Sequence, residues 1–290
     1  MTLPQLLTPF ADYDFMRRAL AGALMLTLGA TPVGVFLMLR RMSLMADAMS
    51  HAVLPGVAAA YFFSGLSLGA MTLGGLAAGV LVAIATGWAA RHSVLFEDTA
   101  MGTFQILSLT AGILLMTAHG RPVDVLQLLF GSILAIDRDT LTLIALVASA
   151  TLVLLALGWR ILVLECFDAP FLRRHSPRLS ALAHYGFLVL VVLNLVAAFH
   201  AIGTLLAISV LILPAATARL WVNGLGKALV LAAGCGALGS YLGLVASFRW
   251  DLPAGPAIAL ALALPYLVSL LLAPHGFLRR RHPRKRHLEN

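Results

Sequence analysis

RDTLTLIALVASATLVLLALGW, residues 138–159, carries no charge between Asp139 and the arginine that follows it at 160. A hydrocarbon core of ~30 Å is crossed by about 20 apolar residues wound as a helix, so this stretch reads as a membrane span. The same ruler moved along the chain lays further spans at 16–39, 45–63, 67–90, 99–118, 182–200, 203–222, 226–247 and 254–273. The run at 203–222 also reads as a broken helix, so eight to nine transmembrane helices are expected. Within lipid each backbone N–H and C=O has to be paired inside its own segment. The expected fold class is therefore all-α, a polytopic membrane helical bundle. Composition agrees, with 61% hydrophobic and 11% charged residues among 290, where a soluble domain has about 25% charged. No soluble domain separates out, and 1–290 reads as one transmembrane domain with an N-terminal segment at 1–15.

The formal charge of +8 is not spread over a face that nucleic acid could use. Basic residues gather between apolar runs: Arg40 and Arg41, then Arg173, Arg174 and Arg178, then a tail at 276–290 that includes Arg279 to His287. Such clusters mark cytoplasmic loops. Walking outward from them places the N-terminus outside and the C-terminus inside, with Arg17 and Arg18 as misfits. The segment 160–181 reads as the longest cytoplasmic loop. VDVLQLLFGSILAID, 123–137, is too short to span easily and reads as a short helix at the outer surface. Cys166 and Cys235 form no CxxC pair and read as small apolar residues. The first residues lack the basic n-region of a signal peptide.

MADAMSHAVLPG, 45–56, holds the residues that could carry chemistry. Asp47 and His51 stand four apart and share a helix face. An oxygen and a nitrogen ligand one turn apart make a half-site for a first-row metal. The same pair could be a hydrogen bond fixing two helices, or a proton relay, and the residues alone leave all three open. Pro55 with Gly56, and Pro214 in a second Pro-small segment at 212–218, are expected to supply helix irregularity near a path or gate. His119 and His200 fall at outer ends of spans and read as interfacial. His92, His175, His184, His275, His282 and His287 read as solvated. Asp98 and Asp168 read as helix caps or turn residues. Ser50 points away from His51 on a helix, so the two make a poor nucleophile–base pair. No HExxH, GxSxG or Walker A pattern occurs, so no enzyme is indicated and any ATP is expected on another chain.

Four stretches carry a family resemblance: RRMSLMADAMSHAVLPGVAAAYFF (40–63), EDTAMGTFQILSLTAGILL (97–115), VDVLQLLFGSILAI (123–136) and IGTLLAISVLILPAATARL (202–220). The chain resembles, collinearly from about residue 15 to 275, the membrane permease of bacterial metal-uptake ABC transporters. The resemblance implies a homodimer in the bacterial inner membrane, two ATPase subunits docked beneath it, and a periplasmic or lipid-anchored metal-binding protein above. It matches the family's path-lining pair to Asp47 and His51. It matches the ATPase-contact loop to 165–181, here with Asp168, Pro170, Phe171, Arg173 and Arg174. Four positions depart from the family pattern. Ala46 stands where Gly is usual, Leu172 and Ser176 where Ala and Gly are usual, and His200 where Gln is frequent. His200 is therefore a further metal-ligand candidate near the outer mouth.

The function expected is the membrane subunit of an ATP-driven importer of divalent transition metal, Zn²⁺ placed slightly ahead of Mn²⁺, with no tightly bound cofactor. Its rivals are a proton-coupled secondary transporter using the same Asp–His pair and a membrane scaffold with that pair as a clamp.

Overall fold

The computed structural model describes residues 10–65, 67–94, 97–118 and 133–277. Among them are ten α-helices described from end to end and no strand. These are α1 (Asp14–Leu39), α2 (Ser43–Ala52), α3 (Leu54–Ser64), α4 (Leu68–His92), α5 (Glu97–Ala118), α6 (Arg138–Phe167), α7 (Ala169–His175), α8 (Pro177–Trp221), α9 (Leu225–Trp250) and α10 (Ala254–Leu272). Seven stretches are long and apolar enough to cross a membrane, α8 supplying two of them, and Thr99–Leu115 in α5 is a shorter apolar helix. The polytopic helical bundle read from the sequence is the fold, and the long helices number slightly fewer than the eight to nine expected.

The expected span at 45–63 accounts for part of the difference. Pro55 has no N–H to give the carbonyl of His51, and the helix yields there, ending as α2 at Ala52 and resuming as α3 at Leu54. Around this break Gly56 N–H turns to the carbonyl of Val53 at 3.1 Å, a tighter bond than the α-helical one.

The segment 160–181 is helix, not loop. α6 runs on to Phe167, α7 takes Ala169–His175, and α8 starts at Pro177. Leu, Arg and Glu in this stretch favour helix. Pro170 and Pro177 both lie in a first turn, where a missing N–H breaks no bond. Asp168 caps α7, its Oδ1 accepting from the Phe171 N–H at 3.1 Å. Asp137 does the same for α6, accepting from the Thr140 N–H at 2.9 Å. Hydrogen bonding from Thr140 holds the Asp137 carboxyl below the usual carboxylate range. The expected surface helix at 123–137 and the basic tail lie mostly outside the described residues. Of the former only the 3₁₀ turn Ile133–Ala135 and its flank to Asp137 are described.

α8 is the hub. It packs against α1, α2, α4, α6, α9 and α10, and with α1 it is the most deeply buried of the long helices. Its one non-helical residue is Gly203, at φ 77° and ψ 169°, a region essentially reserved for glycine. Pro214 instead lies inside continuous helix, so the irregularity of this segment sits at its start. Small residues allow close helix approach in lipid, and a few polar pairs tie helices together. Asn194 Nδ2 donates to Thr151 Oγ1 at 2.8 Å, joining α8 to α6. Thr27 and Ser240 hydroxyls meet at 3.3 Å between α1 and α9.

Candidate functional site

α2 opens just beyond the tight turn at Arg40–Arg41, where Arg41 has φ 59°. Its alanines and methionines at 45, 46, 48 and 49 are buried. Leu44, at 74% exposure, and Asp47 stand on the opposite, open face, and His51 follows them one turn on. Asp47 Oδ1 lies 3.8 Å from His51 Nε2, with the two side chains 55% and 27% exposed. That separation is beyond a hydrogen bond. It leaves one carboxylate oxygen and one ring nitrogen facing the same space. His51 Nδ1, by contrast, is buried and has no hydrogen-bond partner among the described residues. Ser50 Oγ donates to the Asp47 carbonyl at 2.7 Å, so it is turned to its own backbone rather than to the imidazole.

The break behind this pair is seated from two sides. On α5, Ser108 Oγ donates to the Ala52 carbonyl at 2.9 Å. One turn along, Gly112 lies against Pro55, so that an added Cβ would sit 3.2 Å from the proline's Cα and N. On α4, Gly74 faces Gly56, where a Cβ on Gly56 would come within 2.0 Å of the Gly74 carbonyl oxygen. Gly56 thus serves helix contact as well as following the break. Neither Ser108 nor Gly74 stands out in the sequence, because a lone Ser or Gly in an apolar run has many readings.

The other expected ligands are not assembled with the pair. His200 lies in α8 three residues before Gly203, its side chain outside the description, and His119 falls outside the described residues altogether. No group of three His, Cys, Asp or Glu that could hold a metal occurs among the described residues. Among the described residues, Asp47 and His51 stand as a pair of candidate ligands with no third beside them.

At the cytoplasm-assigned end the structure corrects one expectation. His184 is not solvated but 3% exposed, and its Nδ1 accepts from Arg40 Nη2 at 2.8 Å. The Arg40 guanidinium also lies 5.0 Å over the Phe187 ring. Because α8 starts at Pro177, His184 sits two turns inside the helix and not in a loop. Glu165 is likewise buried and accepts from Ser180 Oγ at 3.0 Å. Arg40, Glu165 and His184 line a cavity of about 290 Å³ with Arg41, Cys166 and Arg173. On α7 Pro170, Phe171, Arg173 and Arg174 are exposed, Phe171 stacking on His175 with ring centroids 5.8 Å apart.

A helical membrane bundle with an open ionisable pair on a broken helix has the build of a transport subunit. The chain belongs to the ABC 3 transport family, whose model matches residues 12–273. It is 34% identical over 273 residues to the manganese import system permease protein ScaB of Streptococcus parasanguinis, covering 93% of this chain and 96% of that one. It is also 34% identical over 263 residues to the chelated iron transport system membrane protein YfeD of Yersinia pestis, covering 91% and 86%. Among solved structures it is similar to PsaBC from Streptococcus pneumoniae in complex with Fab, at 34% identity and a TM-score of 0.82 over 96% of this chain and 98% of that one.

Proposed function

We propose that this chain is the membrane-spanning subunit of an ATP-driven importer of a divalent first-row transition metal, and that Asp47 and His51 meet the ion in transit. The observation that carries this is the open pair on α2. Both groups stand on one helix, 3.8 Å apart, with Asp47 largely exposed. A clamp between two helices would need partners on different helices, and this pair stands on one helix with Asp47 largely exposed. The open face of α2 suits a second copy of the chain, whose own Asp47 and His51 would complete a shell of two carboxylates and two imidazoles. Transport requires such a shell to bind weakly enough to release the ion. Imidazole ligates when neutral, so acid slows transport.

Manganese is placed ahead of zinc, reversing the order expected from the His ligand. The reason is that the relatives are named for manganese and iron. Carboxylate and water ligands suit manganese. ATP hydrolysis is assigned to partner ATPase subunits docking at α7, through Asp168-capped Pro170, Phe171, Arg173 and Arg174. A periplasmic or lipid-anchored binding protein supplies the ion. The chain acts as one domain in the bacterial inner membrane, N-terminus outside and C-terminus in the cytoplasm, with His200 aiding capture near the outer mouth.

The test is ATP-dependent uptake of Mn²⁺ and Zn²⁺ into proteoliposomes holding the permease, its ATPase and its binding protein. Asp47→Ala and His51→Ala should lose uptake while assembling and melting like the wild type. Wild-type uptake by both variants removes the pair from the path.

A further inference from the structure

We propose that Ser108 is a positioning residue for the ion path: its bond to the Ala52 carbonyl, beside the bare surface of Gly112, fixes how α2 departs from α3. It thereby fixes where Asp47 and His51 stand. The inference rests on the path proposed above and adds a residue to it.

One proline removes more than one helical bond here. Pro55 cannot donate to His51. Gly56 N–H, which would reach Ala52 in a regular α-helix, instead bonds Val53 at 3.1 Å, and Val57 N–H bonds Val53 as well at 3.2 Å. The Ala52 carbonyl has therefore lost its helical donor at a buried position. An unpaired carbonyl in a dry interior is costly, and the one hydroxyl that reaches it comes from another helix.

A serine in an apolar helix has a cheaper alternative, which is to bond the carbonyl four residues back in its own helix. Several other hydroxyls do this. Thr27 bonds Ala23, Thr31 bonds Thr27, Thr72 bonds Leu68, Thr103 bonds Thr99 and Ser209 bonds Leu205. Ser108 reaches across to Ala52 instead, 56 positions away in sequence. Gly112, four residues on and on the same face of α5, lets Pro55 close against the helix. Hydroxyl and bare surface together make a socket for the break. Ala52 directly follows His51, so a change in that bond is passed to the imidazole without an intervening flexible joint.

The experiment compares wild type, Ser108→Ala, Ser108→Thr and Asp47→Ala in the reconstituted Mn²⁺ uptake assay, with melting temperature measured alongside. Loss of one buried hydrogen bond at the break should raise KM for uptake about fivefold, with maximal rate nearly unchanged and the melting temperature lowered by about 2–4 °C because the Ala52 carbonyl is left unpaired. Ser108→Thr keeps the donor and should restore KM. An unchanged KM in Ser108→Ala overturns the positioning role, as does a Thr variant that behaves like Ala. If Asp47→Ala is inactive while Ser108→Ala keeps the wild-type KM, the path stands and only the positioning role falls. If Asp47→Ala transports like wild type, the path itself falls, and the role of Ser108 with it.

Discussion

Gly56→Ala tests the contact that holds α3 against α4 beside the proposed ion path. The added Cβ would lie 2.0 Å from the Gly74 carbonyl oxygen, 2.6 Å from Ala78 Cβ and 2.7 Å from the Gly74 carbonyl carbon. Ordinary contact begins at 3.4 Å, so the helices have to part by about 1.4 Å along that line, since backbone atoms cannot rotate away. Overpacking of this kind costs about 1–3 kcal/mol, and rigid groups on both sides place it at the upper end. The gain in helix propensity from Gly to Ala returns at most about 1 kcal/mol. The net loss is about 2 kcal/mol, which lowers the melting temperature by about 4–8 °C in a chain of this order of size. Thermal unfolding of the detergent-purified protein, followed by tryptophan fluorescence, reads it directly. Gly226→Ala on α9, where a Cβ meets nothing within 4 Å, is the control and should be neutral or slightly stabilising. A Gly56→Ala protein that melts with the wild type, while the control behaves as stated, refutes the close approach at Gly56–Gly74.

Gly203→Ala should destabilise by about 1–3 kcal/mol, because φ 77° with ψ 169° is closed to a residue with a side chain; a melting temperature equal to wild type would place the break elsewhere. Asp137→Ala removes the cap of α6 and should cost about 1 kcal/mol near neutral pH. The Asp137 carboxyl titrates below its ordinary value of 3.8 in the folded protein. Its contribution is therefore complete above that value and is lost as the pH falls through the lower folded value. Wild type and Asp137→Ala should thus differ in melting at pH 7 and converge only in strong acid, and a constant gap across that range would contradict the carboxylate cap.

The spans were legible because helix formation in lipid is a local requirement: a long apolar run satisfies its own backbone. The long helices covering 16–39, 138–159, 226–247 and 254–273 arise this way, as do the caps at Asp137 and Asp168, whose acceptors reach three residues forward. The Asp47–His51 pair was legible for the same reason, since four residues on one helix fix their proximity before anything else folds.

Hydropathy could not end helices correctly where polar residues continue the turn. Charge interrupts the apolar run over 160–181, so hydropathy points to a loop there, yet charge does not interrupt helical hydrogen bonding. The same reasoning puts His184 in solvent, whereas Arg40, 144 positions away, covers it. Nor does a proline announce whether it breaks its helix. Pro55 lies at a break whose Ala52 carbonyl is taken by Ser108, while Pro214 lies in helix that continues. The sequence by itself determined the membrane bundle, the approximate spans and the ionisable pair, because each depends on neighbours within a few residues. Only the tertiary structure decided that the pair stands on an open face, that Ser108 and Gly112 seat the break, and that Gly56 meets Gly74. Those contacts join helices distant in the chain, and close packing between helix surfaces sets them rather than the propensity of any one segment.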